Sequence, residues 1–588
     1  MKQQRKICLT VSIILLLLSK TIHSQQLEWA VNLESTSHAI GYDIKADKCG
    51  NIYVAGSFHG IVDFDPSASV ADTLAAQYTS AGELYVMKMN SNGKLLWVKG
   101  WQEYDVSDNP TIQIAVDNQN NVYAAGQTRK YITPQQGVEA FIVKFDSLGN
   151  KVWRKTVSDT ADFSYTSVLA KAIDVDGNCN VYLVGQYDGT VDFDPSPASM
   201  YLKTTYNGYP IAYVLKLDSA GNFIWQKQIE SSQGVSMINS IKINKNNLWV
   251  AGTYNGNPDF DLSPTGTYTI GSTQLPGPMN CFLAKYDING NFSWVNGTEN
   301  TGVTTWAATM SSIDVNENDG SIYLSGSFQD SMKWHSAANI GNMVFSKNYL
   351  GDMFFMKLDS MGNFKWINSI GSRLIDQGLG VQVDNENNII FSGLFAKGSV
   401  FYNYGTDSID ASTITDVSML VFKTDSLGHI ILIKPISNAS SAGGGLAFDK
   451  KNNSLYVTGG FEGTTDFNPA STNSYYMTSI NYPQGVDIFI AKYDTLGFTV
   501  NVENTGNKED DIITLFPNPV NNELYFRTPS NLSGSILITD LIGNYQLQTK
   551  VNTLRNNTLD VSGLQSGIYI LTITDTERGR MSFKIIKE

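Results

Sequence analysis

Paired aspartates in a recurring loop are the residues of this chain whose type and spacing could do chemistry. The sequence Asp-Phe-Asp-Pro begins at residue 63, recurs at residue 192, and recurs without the proline at residue 259. Residues two apart on an extended segment face the same side, so the two carboxylates of a pair could converge on one hard cation. The candidate metal ligands are Asp63, Asp65, Asp192, Asp194, Asp259 and Asp261.

Calcium is the cofactor that such a loop could hold. The number of ligands that calcium requires, however, argues against its binding there. Ca²⁺ takes about six to eight oxygen ligands, which two aspartates per loop do not supply. The alternative is structural: a strand end at which Phe is buried between two exposed aspartates and Pro stops further pairing. A fourth copy, Asp466-Phe467-Asn468-Pro469, replaces one aspartate with asparagine.

The sequence contains no motif that assigns a catalytic residue. Of its five histidines, His38, His59, His335 and His429 occupy unrelated places, and the fifth lies in the first 24 residues. There is no His-Glu-x-x-His, no Gly-x-Ser-x-Gly and no phosphate-binding Gly-Lys-Ser/Thr loop. A carboxylate pair for sugar hydrolysis stays open, because it is defined in space and not by spacing.

The loops belong to a unit that recurs about every seventy residues. Its strand phrase, Ile52-Tyr53-Val54-Ala55-Gly56, returns around Gly126, Gly185, Gly252, Gly326, Gly393 and Gly459. Each copy continues into another strand, a turn of the type Asp-Ser-x-Gly, and usually a tryptophan. Four short antiparallel strands separated by turn signals are typical of a propeller blade. The seven copies predict an all-β, seven-bladed β-propeller over residues 25–500.

Two further features concern how the blades join. The recurring tryptophan is expected to pack between adjacent blades rather than to bind a ligand. The chain opens on a lone fourth strand, residues 27–33, whereas its last copy ends on a third strand, residues 488–494. We expect the opening strand to complete the last blade, because this leaves no long sheet edge unpaired. Residues 495–502 are the competing source of that strand.

The repeat resembles the bacterial β-propeller repeats called SBBP repeats and, more loosely, the NHL-type blade. The residues that carry the resemblance are Gly189-Thr-Val-Asp-Phe-Asp-Pro195 and Lys216-Leu-Asp-Ser-Ala-Gly-Asn222. It extends over about residues 27–500. The resemblance implies an extracytoplasmic propeller and does not imply a known reaction.

The first 24 residues have the pattern of a secretory signal peptide. A basic start precedes an apolar run from Cys8 to Leu18, and a polar stretch then ends at Ser24. That run is too short to span a bilayer, and no transmembrane segment is expected in the mature chain. The whole chain has a formal charge of −14, and without the four Lys and Arg of the leader it has −18. Such a charge repels phosphate backbones, so nucleic acid is not an expected partner.

A different pattern begins after the repeats. Residues 501–511 are polar and charged, which indicates a linker. Residues 512–588 contain a strand every ten or so residues, which predicts a small immunoglobulin-like β-sandwich.

This C-terminal module resembles the type A C-terminal sorting domain of the type IX secretion system. The residues that carry the resemblance are Phe516, Pro517, Asn518, Pro519, Asp540, Gly543, Gly567, Tyr569 and Lys584. Phe516 stands where the family often has tyrosine. The resemblance implies that the type IX machinery passes the chain across the outer membrane of a Gram-negative bacterium. It also implies removal of the module near the linker, and often attachment of the remainder to surface glycolipid.

The predicted function is that of a secreted or cell-surface propeller that binds an extracellular glycan or protein. The loops between the second and third strands vary in length and are rich in Ser, Thr, Tyr, Asn and Gly, which suits adaptable contact. Unselected surface drift is the alternative explanation of that variation. Two other functions stay open: an extracellular polysaccharide lyase or glycosidase on a propeller scaffold, and a structural component of a surface layer.

Overall fold

The computed structural model of the protein is all-β, which confirms the all-β part of the predicted fold class. It describes residues 27–67, 71–76, 82–101, 112–132, 135–158, 166–205, 208–231, 234–263, 265–271, 279–299, 308–336, 340–345, 351–371, 376–396, 400–402, 408–410, 418–437, 444–468, 474–480, 485–494, 514–516, 520–527, 534–540, 545–550, 558–565, 567–575 and 579–587. Within these ranges there is no helix that could cross a membrane. The predicted signal peptide, the predicted linker 501–511 and the alternative closing segment 495–502 lie outside them. The chain divides into two compact units, residues 1–500 and 501–588.

Each repeat forms four antiparallel strands, here numbered along the chain, and most carry a short hairpin between the second and third. The opening strand β1 is Leu27–Leu33. The first repeat contains β2 (Ala39–Ala46), β3 (Ile52–Phe58), the hairpin β4 (Ile61–Asp63) and β5 (Thr73–Ala75), then β6 (Glu83–Met89) and β7 (Leu95–Trp101). The second contains β8 (Gln113–Val116), β9 (Val122–Ile132), β10 (Gln135–Phe145) and β11 (Lys151–Val157). The third contains β12 (Ser167–Val175), β13 (Val181–Asp188), the hairpin β14 (Thr190–Asp192) and β15 (Leu202–Thr204), then β16 (Ile211–Leu217) and β17 (Phe223–Ile229).

The later repeats follow the same order. The fourth contains β18 (Ser236–Asn244), β19 (Asn247–Tyr254), β20 (Asn280–Asp287) and β21 (Phe292–Glu299). The fifth contains β22 (Ala308–Val315), β23 (Ile322–Phe328), the hairpin β24 (Ser331–His335) and β25 (Ile340–Phe345), then β26 (Asp352–Leu358) and β27 (Phe364–Gly371). The sixth contains β28 (Gln377–Val383), β29 (Ile389–Phe395), the hairpin β30 (Val400–Tyr402) and β31 (Ser408–Asp410), then β32 (Ser418–Thr424) and β33 (Ile430–Ser437). The seventh contains β34 (Gly445–Asp449), β35 (Ser454–Phe461), the hairpin β36 (Thr464–Asp466) and β37 (Tyr476–Thr478), then β38 (Asp487–Asp494).

The first strand of each repeat, called the inner strand below, contacts the inner strands of the repeats before and after it. The contacts run in the order β2, β8, β12, β18, β22, β28 and β34, and β34 contacts β2 again. The second and third strands are almost wholly buried, as in Ile52–Phe58 and Glu83–Met89. Strands that are buried on both faces must have repeats packed on either side of them, which explains their continuous apolar composition.

At several junctions, a tryptophan and a lysine of one repeat donate to the same carbonyl of the next repeat. Trp97 Nε1 and Lys88 Nζ both donate to Ser147 O, at 3.2 Å and 3.3 Å, in the Asp-Ser-x-Gly turn of the next repeat. Trp153 and Lys144 do the same to Ser219 O, at 3.1 Å and 2.9 Å. The expectation that the recurring tryptophan packs between blades is therefore confirmed.

The glycine of that turn is held against the tryptophan ring. Gly149 has φ +84°, and a Cβ added to it would lie 2.7 Å from Trp97. Gly149→Ala combines left-handed backbone strain with overpacking, so we expect it to lower the free energy of unfolding by about 2 kcal/mol or more. Chemical denaturation measures this. Gly177→Ala is the matched control, because its Cβ would meet nothing within 4 Å, and an equal loss there would contradict the explanation.

The seventh repeat takes its fourth strand from the start of the chain. β1 pairs antiparallel with β38, from Leu27 opposite Tyr493 to Leu33 opposite Ile488. The other edge of β38 pairs with β35, so both of its edges are occupied. Glu28 and Lys492 form an ion pair at 2.7 Å across the junction.

A buried aspartate fastens this junction. Asp487 is fully buried and accepts hydrogen bonds from Ser35 N at 3.0 Å, Asn32 Nδ2 at 3.1 Å and Ile480 N at 3.1 Å. Burial raises the pKa of Asp487, and these three donors oppose that effect. The carboxylate therefore ties the opening segment to the last repeat.

Removing that carboxylate should loosen the junction. Asp487→Ala leaves buried N–H groups without an acceptor, so we expect a loss of about 1–3 kcal/mol in unfolding free energy. Asp72→Ala, at an exposed site, should change stability by less than about 0.5 kcal/mol. Urea denaturation of both variants checks this, and an unchanged midpoint for Asp487→Ala would refute the role of the carboxylate.

The second compact unit contains two antiparallel sheets. One comprises β39 (Thr514–Phe516), β40 (Glu523–Arg527) and β43 (Thr558–Asp560), and the other comprises β41 (Gly534–Asp540), β42 (Tyr545–Lys550), β44 (Gly567–Asp575) and β45 (Gly579–Lys587). Leu524 and Leu559 of the first sheet pack with Ile536, Leu571 and Ile573 of the second in one core.

Candidate ligand-binding site

The Asp-Phe-Asp loops fold as hydrogen-bonded turns. The first aspartate accepts from the backbone N–H two residues later and from the one nine residues later. In the third repeat, Asp192 Oδ1 accepts from Asp194 N at 3.0 Å and from Tyr201 N at 2.8 Å. Asp63, Asp259 and Asp466 make the same pair of bonds. The intervening Phe193 is fully buried, whereas the flanking aspartates are half-buried.

The same loops connect each repeat to the one before it. Asp63 N donates to Glu34 O at 3.1 Å, Asp192 N to Ser158 O at 2.9 Å, and Asp259 N to Glu230 O at 2.7 Å. In the fifth and sixth repeats the first strand of the hairpin pairs with the fourth, or outer, strand of the preceding repeat. These pairs are β24 with β21 and β30 with β27. The motif therefore marks the point where the loop between the second and third strands bonds to the preceding repeat. The periodicity of the sequence did not reveal this role.

The second aspartate of each pair also bonds within its loop. Asp65, Asp194 and Asp261 accept from the backbone N–H groups of Ser67, Ser196 and Ser263, each at 2.9 Å. Among the residues that the structure describes, no three His, Cys, Asp or Glu side chains group closely enough to hold a metal ion. Calcium at these six aspartates stays a prediction of the sequence.

This hydrogen-bond pattern predicts a structural role that calcium does not influence. Asp192→Ala removes the acceptor of two backbone N–H groups, so we expect it to lower unfolding free energy by about 1–3 kcal/mol. The wild-type thermal midpoint should be the same in calcium and in EDTA. A midpoint that rises with calcium concentration, and no longer rises in Asp192→Ala, would show a metal site instead.

The candidate ligand-binding site is a cavity of about 440 Å³ lined by inner strands. Residues from all seven of these strands line it, and they include Tyr42, Gln113, Asp174, Lys242 and Leu446. A volume of that size falls within the usual range of small-molecule pockets. The cavity lies where the repeats converge, which the repeat pattern alone does not identify as a binding site.

Bulged residues of the inner strands supply part of the cavity wall. Five inner strands carry one extra residue relative to the paired second strand, and each extra residue lines the cavity. We call them the bulge layer: Tyr42, Lys171, Asn239, Ser311 and Leu379. A bulge re-aims a side chain and is common next to functional sites. Because a bulge breaks the alternation of inward and outward residues, the sequence pattern did not single these residues out.

A second layer of the cavity is charged and fully paired. It lies closer to the ends of the inner strands and contains Lys45, Asp174 and Lys242. These residues hold equivalent positions in their repeats, and Asp314, just behind the cavity wall, holds the same position in the fifth repeat. Lys242 pairs with Asp314 at 2.7 Å, and Lys45 pairs with Asp43 at 2.6 Å. The carboxylates of Asp174 and Asp314 raise the pKa of Lys242 against the effect of burial.

The carboxylates at the cavity are occupied by structural hydrogen bonds. Asp43 Oδ2 accepts from Ile114 N at 2.9 Å, and Asp174 Oδ2 accepts from Ile243 N at 2.7 Å. Asp314 Oδ2 accepts from Val383 N at 2.9 Å. Each bond joins an inner strand to the inner strand of the next repeat. Burial raises the pKa of Asp174, and Lys242 together with the N–H groups of Ile243 and Val175 opposes that effect. The acidic groups therefore hold strands together.

A smaller cleft continues the cavity at the end where the inner strands begin. Its volume is about 370 Å³, and it lies between the fifth and sixth repeats. Ser311, Gln377 and Leu379 line both spaces, and Phe328 and Gln329 extend the cleft outward. The hairpins between second and third strands lie at the same end and present exposed side chains such as Tyr476, which is 65 % exposed. Polar, aromatic and apolar surfaces thus meet at one end of the repeats.

The predicted sorting residues are only partly within the described chain. Phe516, Asp540, Gly567 and Lys584 lie on β39, β41, β44 and β45. Tyr569 is buried and donates to Gln565 O at 2.9 Å. Pro517, Asn518, Pro519 and Gly543 lie outside the described residues.

Comparison with known families identifies the C-terminal module. Residues 514–588 match the model of the secretion system C-terminal sorting domain. This match confirms the predicted sorting module. It indicates that the type IX machinery handles the chain and that the protein is secreted or displayed at the cell surface.

The chain is also similar to a WD repeat-containing protein, to proteins of unknown function and to sialidases. It is 24% identical over 539 residues to the uncharacterized WD repeat-containing protein L264 of Acanthamoeba polyphaga mimivirus, a match covering 79% of this chain and 38% of the relative. The chain therefore spans well under half the length of that protein. A protein of unknown function from Bacteroides caccae is 9% identical with a TM-score of 0.27, covering 60% of this chain and 89% of that one. The phage phi92 endosialidase is 10% identical with a TM-score of 0.34, covering 95% and 87%. The Trypanosoma rangeli sialidase is 9% identical with a TM-score of 0.24, covering 80% and 95%.

Proposed function

We propose that this protein is an exported binding module whose repeats form a closed seven-bladed β-propeller of the SBBP type. The ring of contacts from β2 through β34 and back to β2 supports the closure. The pairing of β1 with β38 supports the origin of the closing strand. The C-terminal module is then an immunoglobulin-like sandwich that serves export, with a signal peptide over residues 1–24 and a cleavage site near 501–511.

One observation carries the binding function. The cavity presents five bulged side chains of different chemistry, while its carboxylates accept backbone N–H bonds or pair with lysines. A general acid or base needs a carboxyl group that can exchange a proton with substrate, and these carboxyl groups instead hold inner strands together. Variable side chains on a fixed frame suit recognition of a ligand. The ligand is an extracellular glycan or protein segment that enters at the end bearing the cleft.

An array experiment on residues 25–588, the chain without its predicted signal peptide, tests this function. We expect binding to a defined subset of glycans or host proteins, in the presence and in the absence of calcium. Asn239→Phe should abolish that binding by filling the cavity, whereas Asn92→Phe, at an exposed turn, should leave it unchanged.

Other results would favour the alternative functions. Release of shortened or unsaturated sugars from polysaccharide would show an enzyme. Concentration-dependent assembly of the purified chain without any ligand would favour a surface-layer component. Binding that survives Asn239→Phe would place the site outside the cavity.

A further inference from the structure

The five residues of the bulge layer differ in chemistry although they occupy one position of the repeat. Other positions of the repeat are conserved in type, such as the second-strand tyrosines Tyr53, Tyr123 and Tyr182. Lys171, Asn239 and Ser311 come from three consecutive repeats and form a polar arc, which Leu379 of the next repeat extends with an apolar group. Tyr42 lines the cavity from the first repeat. The wall thus has one charged, two neutral polar and two largely apolar members.

Of the three lysines that line this cavity, Lys171 is the one for which the described residues provide no protein partner. Lys45 pairs with Asp43 and Lys242 pairs with Asp314. Within the described part of the chain, Lys171 makes no hydrogen bond, ion pair or ring contact. Burial alone lowers its pKa, with no nearby carboxylate to offset the effect. A half-buried ammonium without a counter-charge is destabilised relative to water, and an anion bound beside it would remove that penalty.

The paired layer lies a few residues away along the same strand. Asp174 is three residues beyond Lys171, which corresponds to about 10 Å of extended strand at most. Its carboxylate is directed to Ile243 N of the next repeat. Lys171 therefore remains available to a ligand that enters from the end where the strand begins, and Ser311 and Leu379 connect the same wall to the cleft.

We propose that the bulge layer binds a small carboxylate-bearing ligand, with the Lys171 ammonium pairing with the carboxylate and Asn239 and Ser311 hydrogen-bonding to adjacent polar groups. This inference rests on the proposed binding function and names its ligand class. A single ammonium balances one negative charge. Asp43 and Asp174 line the same cavity and would repel a dianion such as sulfate or a phosphate monoester. Leu379 and Tyr42 provide apolar surface for the body of the ligand.

The ligand could be an acidic sugar or a non-sugar carboxylate, and titration calorimetry on residues 25–588 distinguishes them. The probes are D-glucuronate, L-lactate, D-glucose and sulfate. We expect glucuronate or L-lactate, each with one negative charge, to bind and D-glucose and sulfate to bind much more weakly. Lys171→Gln should weaken the binding of the carboxylate probe roughly tenfold to a hundredfold, as expected for the loss of a charge-assisted hydrogen bond. Lys171→Arg should retain most of the affinity.

Lys151→Gln is the matched control, since Lys151 is exposed on an outer strand, and it should bind the probes as the wild type does. The thermal midpoint of Lys171→Gln should equal or slightly exceed that of the wild type, because the substitution removes an unpaired, half-buried ammonium and breaks no bond to the protein. Equal carboxylate affinity in Lys171→Gln and the wild type would overturn the proposal. So would sulfate binding as tightly as glucuronate, or no binding of either carboxylate to the wild type. Array binding of neutral ligands alone would leave the proposed function intact and refute this inference, whereas an array with no ligand would refute both.

Discussion

The pairing of the opening strand with the last repeat is the constraint on which the rest of the repeat unit depends. A ring of repeats has one place where the chain does not continue from one repeat to the next, and there backbone hydrogen bonds must replace the covalent link. β1 and β38 provide those bonds along their whole length. Asp487 adds three side-chain bonds, and Glu28 with Lys492 adds an ion pair. With both edges of β38 occupied, the seventh repeat has the four strands of the others.

The acidic residues of the repeat unit largely serve structure. Carboxylates accept backbone N–H groups in the Asp-Ser-x-Gly turns, in the Asp-Phe-Asp loops and between inner strands. In the turns, burial by itself would raise the pKa of Asp218, but the hydrogen bonds that it accepts, including two from Asn222, together lower that pKa below its usual value. A negatively charged acceptor strengthens a bond to an N–H group, so aspartate suits turns that recur in every repeat. The net negative charge thus follows partly from how the repeats are built.

Much of the repeat fold could be predicted from sequence because turns and strands recur together. The glycine of each Asp-Ser-x-Gly turn and the tryptophan opposite it can be recognised directly in the sequence. So can the fourth-strand pattern of residues 27–33. The neighbours that they contact follow once the repeats are placed side by side. The contribution of lysines such as Lys88 and Lys144 was missed, because a buried lysine that donates to a carbonyl looks like any strand residue.

The residues of the candidate site could not be predicted from the sequence, and the reason is the register of the inner strands. An inner strand with a bulge has the same composition as one without it, and only its register against the second strand identifies the extra residue. Lys171 therefore looked like one more polar residue of a strand. Conversely, the aspartate pairs drew attention through their spacing, although their oxygens accept backbone N–H groups within the loop. Spacing identified residues that act locally, whereas the cavity brings together residues about seventy positions apart.

The order of the strands along the chain has a consequence for biosynthesis. β1 leaves the ribosome before any other strand of the repeats, and its partner β38 is completed more than 450 residues later. At ordinary translation rates this interval lasts roughly half a minute to a minute and a half. During that time the apolar residues of β1 and the open edge of the growing stack are exposed to wrong pairing. Chaperones that hold exported chains unfolded would suit this protein well, because its native edge contacts form only when synthesis is nearly complete.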